Sequence, residues 1–232
     1  MAALVVSSRL PDASEPPVAL DFPLSNGAFY VVQGGASSSL NNHHVNTAQK
    51  LALDITKLGP GARRAPGLLP SDPSAYFIYG SAVSAPCAGR IRYAVDGMPD
   101  SSIPSGDVLD PAGNHVAIDC AGLDVTVVLA HLERGSVRVH TGDRIARGEV
   151  LASVGQSGHS SEPHLHIHAA RDTDGFGERG FGVPMTFGGR FLIKNDVVAV
   201  GSPIPRIQAG EVHRRSYVSK RCEDGDLNPD GC

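Results

Sequence analysis

Residues 163–171 read PHLHIHAAR, a stretch in which apolar and imidazole side chains alternate with a period of two. A β-strand points successive side chains to opposite faces, so this pattern places His164, His166 and His168 on one face and the leucine and isoleucine on the other. Alternate side chains on one face lie about 6–7 Å apart, which is too far for a hydrogen bond but suits groups that flank a metal ion and its water. The stretch therefore predicts a strand that contributes to a metal site.

The sequence around this strand consists of short apolar runs separated by turn residues. Residues 77–97 predict two strands joined through a Pro/Gly turn, and residues 114–132 predict a hairpin rich in β-branched residues. Residues 135–155 hold two short apolar pieces separated by TGD and RG turns. Only residues 42–57 could include a short helix, and their AQKLALDI segment fits a strand equally well. We therefore expect a mainly β fold, an antiparallel sandwich or half-open barrel with few short helices.

The composition supports a globular β protein. The 232 residues are 41% hydrophobic and 19% charged, and the 27 glycines and 17 prolines are many for a helical chain. The formal net charge of −4 gives no electrostatic reason to expect nucleic acid or an anionic membrane as a partner. No apolar run approaches the roughly 20 residues that span a bilayer. Residues 1–10 lack the features of an intact secretory signal, so we expect that such a signal is absent or was removed.

The chain divides by composition into three parts. Residues 1–41 are predicted to form lead-in strands, residues 42–186 the main domain, and residues 187–232 a basic, polar C-terminal extension.

Four cysteines, Cys87, Cys120, Cys222 and Cys232, permit three pairings into two disulfides. The first two each follow a strand-like run and the last two bracket an acidic turn-rich tail, so we favour pairing within each couple and an oxidising compartment. Four free thiols are the alternative. None of the cysteines has the CxxC spacing of a metal site.

The motifs around the histidine strand resemble those of one family. The run GDRIARGEVLASVGQSGHSSEPHLHIHA at residues 142–169 is similar to the C-terminal half of lysostaphin-like (LytM-type) peptidases, in which a Gly-rich turn leads into an H-x-H strand. Residues 113–119 and 127–139 resemble the two preceding strands, including the histidine of an A-H-L motif. The resemblance spans about residues 42–170, and it implies the duplicated-hybrid-motif fold of zinc metallopeptidases.

The resemblance also implies roles for individual residues. It makes His166 and Asp54 zinc ligands and makes His131 and His164 the catalytic histidines that flank the reacting water. Two histidines and one aspartate leave a fourth tetrahedral position open, as in a catalytic zinc site. His168 is surplus to the motif. It could contact substrate or a carboxylate, and a plain surface or packing role is at least as well supported.

The first zinc ligand departs from the family pattern. The usual H-x-x-x-D motif would place a histidine four residues before Asp54, where Lys50 stands. The histidines available are His43 and His44, and we predict His44, with His43 as the alternative.

The implied function is a zinc metalloendopeptidase that hydrolyses stem peptides or cross-bridges of bacterial peptidoglycan by means of a zinc-activated water. We expect zinc as the cofactor, peptidoglycan peptides as the partner, a monomer, and a location in the cell envelope or outside the cell. One alternative is an inactive member of the same fold that binds the wall or regulates an amidase. The other is a carrier domain of the biotinyl or sugar-phosphotransferase type, which would bind no zinc.

Overall fold

The computed structural model describes residues 15–103, 110–172 and 179–201. Three short 3-10 helices occur in these residues, at Asn42–Val45, Pro60–Ala62 and Pro73–Ala75. The strands are β1 Val18–Leu20, β2 Gly27–Gln33, β3 Leu53–Leu58, β4 Ala82–Ser84, β5 Gly89–Val95, β6 Asn114–Cys120, β7 Val125–Leu132, β8 Arg144–Ile145, β9 Val150–Ser153, β10 Leu165–Arg171, β11 Phe181–Gly182, β12 Met185–Phe187, β13 Arg190–Phe191 and β14 Val197–Val200.

Most strands belong to one large sheet in the order β14-β2-β3-β10-β7-β6-β5-β8, with β11 paired to β10. The strand pairs of this sheet are all antiparallel. A three-stranded sheet β1-β12-β13 and the pair β4-β9 complete the described fold, and β1 runs parallel to β12. The prediction of a mainly β fold with antiparallel sheets and few short helices is confirmed.

The predicted strands are present, with one difference in pairing. The histidine stretch forms β10, and residues 114–132 form the β6–β7 hairpin. Residues 77–97 do contain β4 and β5, but β4 pairs with β9 while β5 pairs with β6. The turn between β4 and β5 therefore carries the chain from one sheet to another.

The two faces of β10 are both buried, but by different groups. Leu165 and Ile167 are fully buried in the hydrophobic core together with Ile55 of β3 and Leu129 of β7. The histidine face is also buried, and it forms the site described below. A strand in the middle of a sheet has hydrogen-bonded neighbours on both sides, so its side chains are held in a fixed register.

A disulfide joins Cys87 to Cys120 at the end of β6, with the Cα atoms 5.7 Å apart. This confirms one of the two predicted pairings, whereas Cys222 and Cys232 lie outside the described residues.

The predicted domain boundaries stay a prediction. Strands β2 and β14, which lie outside 42–186, pair with each other, and β2 also pairs with β3. Within the described part of the chain, no helix is long and apolar enough to cross a membrane.

Candidate metal centre

The centre of the site is the pairing of β3 with β10, which places Asp54 directly opposite His166. Both carboxylate oxygens of Asp54 are engaged. Oδ1 lies 3.0 Å from His166 Nδ1, and Oδ2 lies 2.9 Å from His43 Nε2. One aspartate thus joins a histidine from the strand to a histidine from the preceding loop.

A buried asparagine directs the loop that carries His43. The 3-10 helix Asn42–Val45 begins after Asn41, whose side-chain oxygen accepts a hydrogen bond from the backbone N–H of His43. The side-chain nitrogen of Asn41 donates to the carbonyls of Gly35, Lys50 and Ala52, at 3.2, 3.3 and 3.0 Å. These bonds tie the start of the helix to the chain on either side of it, and the imidazole of His43 reaches Asp54.

The position of His44 differs from the one expected for the first ligand. The side chain of His44 is exposed, while the group able to hold a metal consists of His43, Asp54 and His166. Adjacent residues in a 3-10 helix point about 120° apart, so only one of the two histidines can face the aspartate. The structure therefore places His43, and not His44, beside Asp54.

The donor set fits zinc. The candidate ligand atoms of His43, Asp54 and His166 all lie within 4.8 Å of one another. Ligands about 2.0–2.2 Å from a tetrahedral zinc ion lie about 3.3–3.5 Å apart, close to the 2.9 and 3.0 Å separations from the Asp54 oxygens. Imidazole nitrogen and carboxylate oxygen are both ordinary zinc ligands.

The other two predicted histidines face the same site. Ala130 of β7 pairs with His166 of β10, and His131 is the next residue along β7. The ring centroids of His131 and His166 lie 5.9 Å apart. The rings of His131 and His164 lie 4.7 Å apart. The sequence prediction therefore correctly brought Asp54, His131, His164 and His166 into one cluster, whereas the structure brings His43 there and leaves His44 out.

Backbone carbonyls hold both of these rings by the same nitrogen. His131 Nδ1 lies 2.9 Å from the carbonyl of Ser157, and His164 Nδ1 lies 2.8 Å from the carbonyl of Glu162. A carbonyl can only accept, so each Nδ1 carries a proton and donates it. In the neutral ring Nε2 can then accept a hydrogen bond, whereas in the protonated ring it donates one. The Nε2 of His164 lies 3.5 Å from Asp54 Oδ1, at the metal side of the ring.

The backbone at His131 has a φ of +61°. This left-handed conformation is uncommon for residues other than glycine, and such positions occur often at functional sites. The conformation turns the chain at the end of β7, where the ring meets the carbonyl of Ser157.

Burial and mutual contacts shift the pKa values of the cluster. Burial alone would raise the pKa of Asp54, but the charge of His164 and hydrogen bonds from His164, His166 and His43 hold it well below its usual value. Burial lowers the pKa of His131 well below the ordinary 6.5, and His164 and His166 lower it further. Burial would also lower the pKa of His164, yet the Asp54 carboxylate and hydrogen bonds to Asp54 and Glu162 raise it.

A cavity of about 300 Å³ opens beside this cluster. His43, His131, His166 and His168 line it on the metal side, and its remaining lining includes the small side chains Pro111, Ala112, Val128 and Ala130. His159, an exposed residue of the turn before β10, also lines the cavity. The site is thus accessible along a groove with a partly apolar surface.

The contact between His166 and His168 differs from the sequence expectation. His166 Nε2 and His168 Nδ1 lie 2.9 Å apart, although the strand spacing predicted a distance too long for a hydrogen bond. The prediction was wrong because imidazoles extend beyond their Cβ atoms, and these two rings meet edge to face at 5.2 Å between centroids. The motif gave no indication of this contact.

Part of the chain matches one known family by sequence. Residues 76–176 match the model of peptidase family M23, and the match contains His131, His164 and His166 but neither His43 nor Asp54. The resemblance to lysostaphin-like peptidases inferred from the motifs is confirmed. No curated protein matches the chain by sequence.

Solved structures similar to this chain include three peptidases. A Pseudomonas aeruginosa protein assigned to peptidase M23 is 19% identical over 72% of this chain and 52% of its own, with a TM-score of 0.38. The antimicrobial peptidase lysostaphin from Staphylococcus simulans is 16% identical over 53% of this chain and 50% of its own, with a TM-score of 0.33. The M23 metalloprotease pseudoalterin, from the deep sea, is 13% identical over 79% of this chain and 99% of its own, with a TM-score of 0.45. The chain thus spans about half the length of the first two.

Proposed function

We propose that the protein is a zinc metalloendopeptidase that hydrolyses peptide bonds in the stem peptides or cross-bridges of bacterial peptidoglycan. The observation that carries this proposal is the Asp54 carboxylate between His43 and His166, with two further histidines facing the same point. The family match supports a peptidase, since it contains the H-x-H strand and the A-H-L histidine.

The metal would be held by His43 Nε2, an oxygen of Asp54 and His166 Nδ1. Three protein ligands leave a fourth position for water or substrate, which distinguishes a catalytic from a structural zinc site. When bound, zinc lowers the pKa of a coordinated water from about 15.7 towards 7 and polarises the carbonyl that is attacked. A water activated in this way can attack a peptide bond at neutral pH.

The two flanking histidines would handle protons and negative charge. His131 is neutral near pH 7 because its pKa is lowered, so its Nε2 can take a proton from the attacking water. When its ring is protonated, His164 would donate a hydrogen bond from Nε2 to the carbonyl oxygen as that oxygen becomes negative. The carbonyls of Ser157 and Glu162 fix both rings in the orientation that these roles need.

The proposed substrate rests on the family match and on the groove. Pro111, Ala112, Val128 and Ala130 give the cavity a partly apolar lining, which would suit a peptide with small side chains. The Cys87–Cys120 disulfide supports an oxidising location, the cell envelope or the exterior of the cell, where the wall is accessible. We expect the protein to act as a monomer.

The test is digestion of purified peptidoglycan by the full chain. We expect new amino groups to appear with the zinc-loaded protein, to stop when a chelator removes the metal, and to return when zinc is added back. His166→Ala should release none, and mass spectrometry of the fragments would identify the bond. A zinc-loaded protein that binds the wall but releases no amino groups would contradict the proposal and favour the inactive, regulatory alternative.

A further inference from the structure

The third histidine of β10 is in direct contact with a proposed metal ligand. His168 Nδ1 lies 2.9 Å from His166 Nε2, and both side chains are buried. His168 pairs with Val128 of β7 and belongs to a strand with neighbours on both sides, so its position is fixed by the sheet.

The two nitrogens of His166 have separate tasks. Nδ1 faces Asp54, 3.0 Å from its Oδ1, and is therefore the nitrogen on the metal side. A histidine that binds a metal through Nδ1 in its neutral form must carry its proton on Nε2. That proton needs an acceptor inside the protein, and His168 Nδ1 is the group at hydrogen-bond distance.

We propose that His168 is a positioning residue of the metal centre, whose Nδ1 accepts the hydrogen bond from His166 Nε2–H and so fixes the ring orientation and tautomer of that ligand. This role rests on the metal site proposed above. Zinc-binding histidines commonly donate their second N–H to a carboxylate, a carbonyl or a water, and the partner makes the ligand more basic. Here a second histidine takes that place.

A packing role does not account for His168. Its other nitrogen, Nε2, is buried and has no hydrogen-bond partner among the described residues. Leaving a buried donor unpaired costs free energy, so an apolar side chain of similar size would suit a purely structural position better. A histidine at position 168 is explained if its Nδ1 must accept a hydrogen bond. The single proton of the neutral ring then sits on Nε2, which accounts for the unpaired nitrogen.

The test compares two substitutions that differ in the acceptor. In Asn, Oδ1 lies near the place of imidazole Nδ1 and can accept the same hydrogen bond, whereas Leu fills similar space without an acceptor. We expect His168→Leu to weaken zinc binding about 10–100-fold, measured by competition with a chromophoric chelator, and His168→Asn to stay close to the wild type. The matched control is His140→Leu at a side chain that is 90% exposed, which should leave zinc affinity unchanged.

Equal zinc affinity in the wild type and His168→Leu would overturn the positioning role. Equal weakening in the Asn and Leu variants would also overturn it, because only packing would then matter. A wild type that binds no zinc would contradict the metal site itself, so the two failures are distinguishable.

A measurement on the wild type covers the case in which a variant does not fold. Long-range proton–nitrogen spectra of the zinc-loaded, nitrogen-15-labelled protein should show the ring protons of both His166 and His168 on Nε2. A proton on His168 Nδ1 would contradict the role, because that nitrogen could then not accept.

Discussion

Strand β10 and the loop before β3 both contribute histidines to the proposed metal site, but by different means. On β10, His164, His166 and His168 follow the period of two that any strand imposes, and hydrogen bonds to β3 and β7 hold the register. The loop brings His43, which stands eleven positions before Asp54 in the sequence, to the site by means of the side chain of Asn41. Both routes end on the same carboxylate.

The difference between the strand and the loop shows which residues of a site can be predicted from a short sequence pattern. A strand fixes side-chain directions through its backbone, so substitutions along it change chemistry and leave geometry in place. A loop fixes direction through particular side-chain bonds, so a single substitution can redirect it. The metal site therefore depends on one rigid element and on one element held by few contacts.

The largest effect is expected where the two regions join. Asp54→Asn removes the charge that faces both His43 and His166, and an amide is a poor zinc ligand compared with a carboxylate. We expect zinc content to fall from about one ion per chain to background, with complete loss of wall hydrolysis. Elemental analysis measures this, and Asp143→Asn in an exposed turn is the control that should keep both. Full zinc content in Asp54→Asn would contradict the ligand set.

The next effect separates chemistry from metal binding. His131→Ala removes a ring that faces the reacting point but is not one of the three proposed ligands, so zinc content should stay near the wild-type value. Loss of a positioned acid–base group typically lowers rates about 10²–10⁴-fold. Initial rates of amino-group release should show this fall, and an unchanged rate would exclude a catalytic role for His131.

A smaller effect tests how the loop is held. Asn41→Ala removes the hydrogen bond to the His43 backbone and leaves the carbonyls of Gly35, Lys50 and Ala52 without their donor. We expect the free energy of unfolding to fall by about 1–3 kcal/mol and zinc affinity to fall with it. Ser39→Ala, at an exposed position of the same segment, is the matched control in urea unfolding and chelator competition. Unchanged zinc affinity in Asn41→Ala would mean that the loop holds His43 without this side chain.

An effect of similar size on stability concerns pH and the metal-free protein. Burial lowers the pKa of His131, His166 and His168, so the unfolded chain binds more protons than the folded one as the pH falls below about 6.5. The raised pKa of His164 acts in the opposite direction, since its stabilisation is present at low pH and is lost as the pH rises. Because three histidines have a lowered pKa and only His164 has a raised one, the free energy of unfolding should fall as the pH is lowered from 7 to 5.5. The expected fall is on the order of 1–3 kcal/mol.

Urea unfolding of the chelator-treated protein at the two pH values measures this change. His131→Gln should reduce it and the exposed His140→Gln should not. Equal or greater stability at pH 5.5 would show that the buried histidines do not titrate as described.

The same contrast explains what the sequence revealed. Strand β10, the β6–β7 hairpin and the cluster of Asp54, His131, His164 and His166 were predictable, because strand periodicity and ordered family motifs fix them. The choice between His43 and His44 was not, because it depends on bonds from Asn41 to carbonyls nine and eleven residues away. The His166–His168 bond was missed because ring orientation, and not strand spacing alone, sets the distance.

The most direct test of the metal site is zinc content and affinity in the neighbouring variants His43→Ala and His44→Ala, with the wild type alongside. The two differ by one position in the same 3-10 helix, so each controls for the other. The arrangement of His43, Asp54 and His166 predicts about one zinc ion per chain in the wild type and in His44→Ala, and none in His43→Ala. Zinc retained in His43→Ala but lost in His44→Ala would contradict this site.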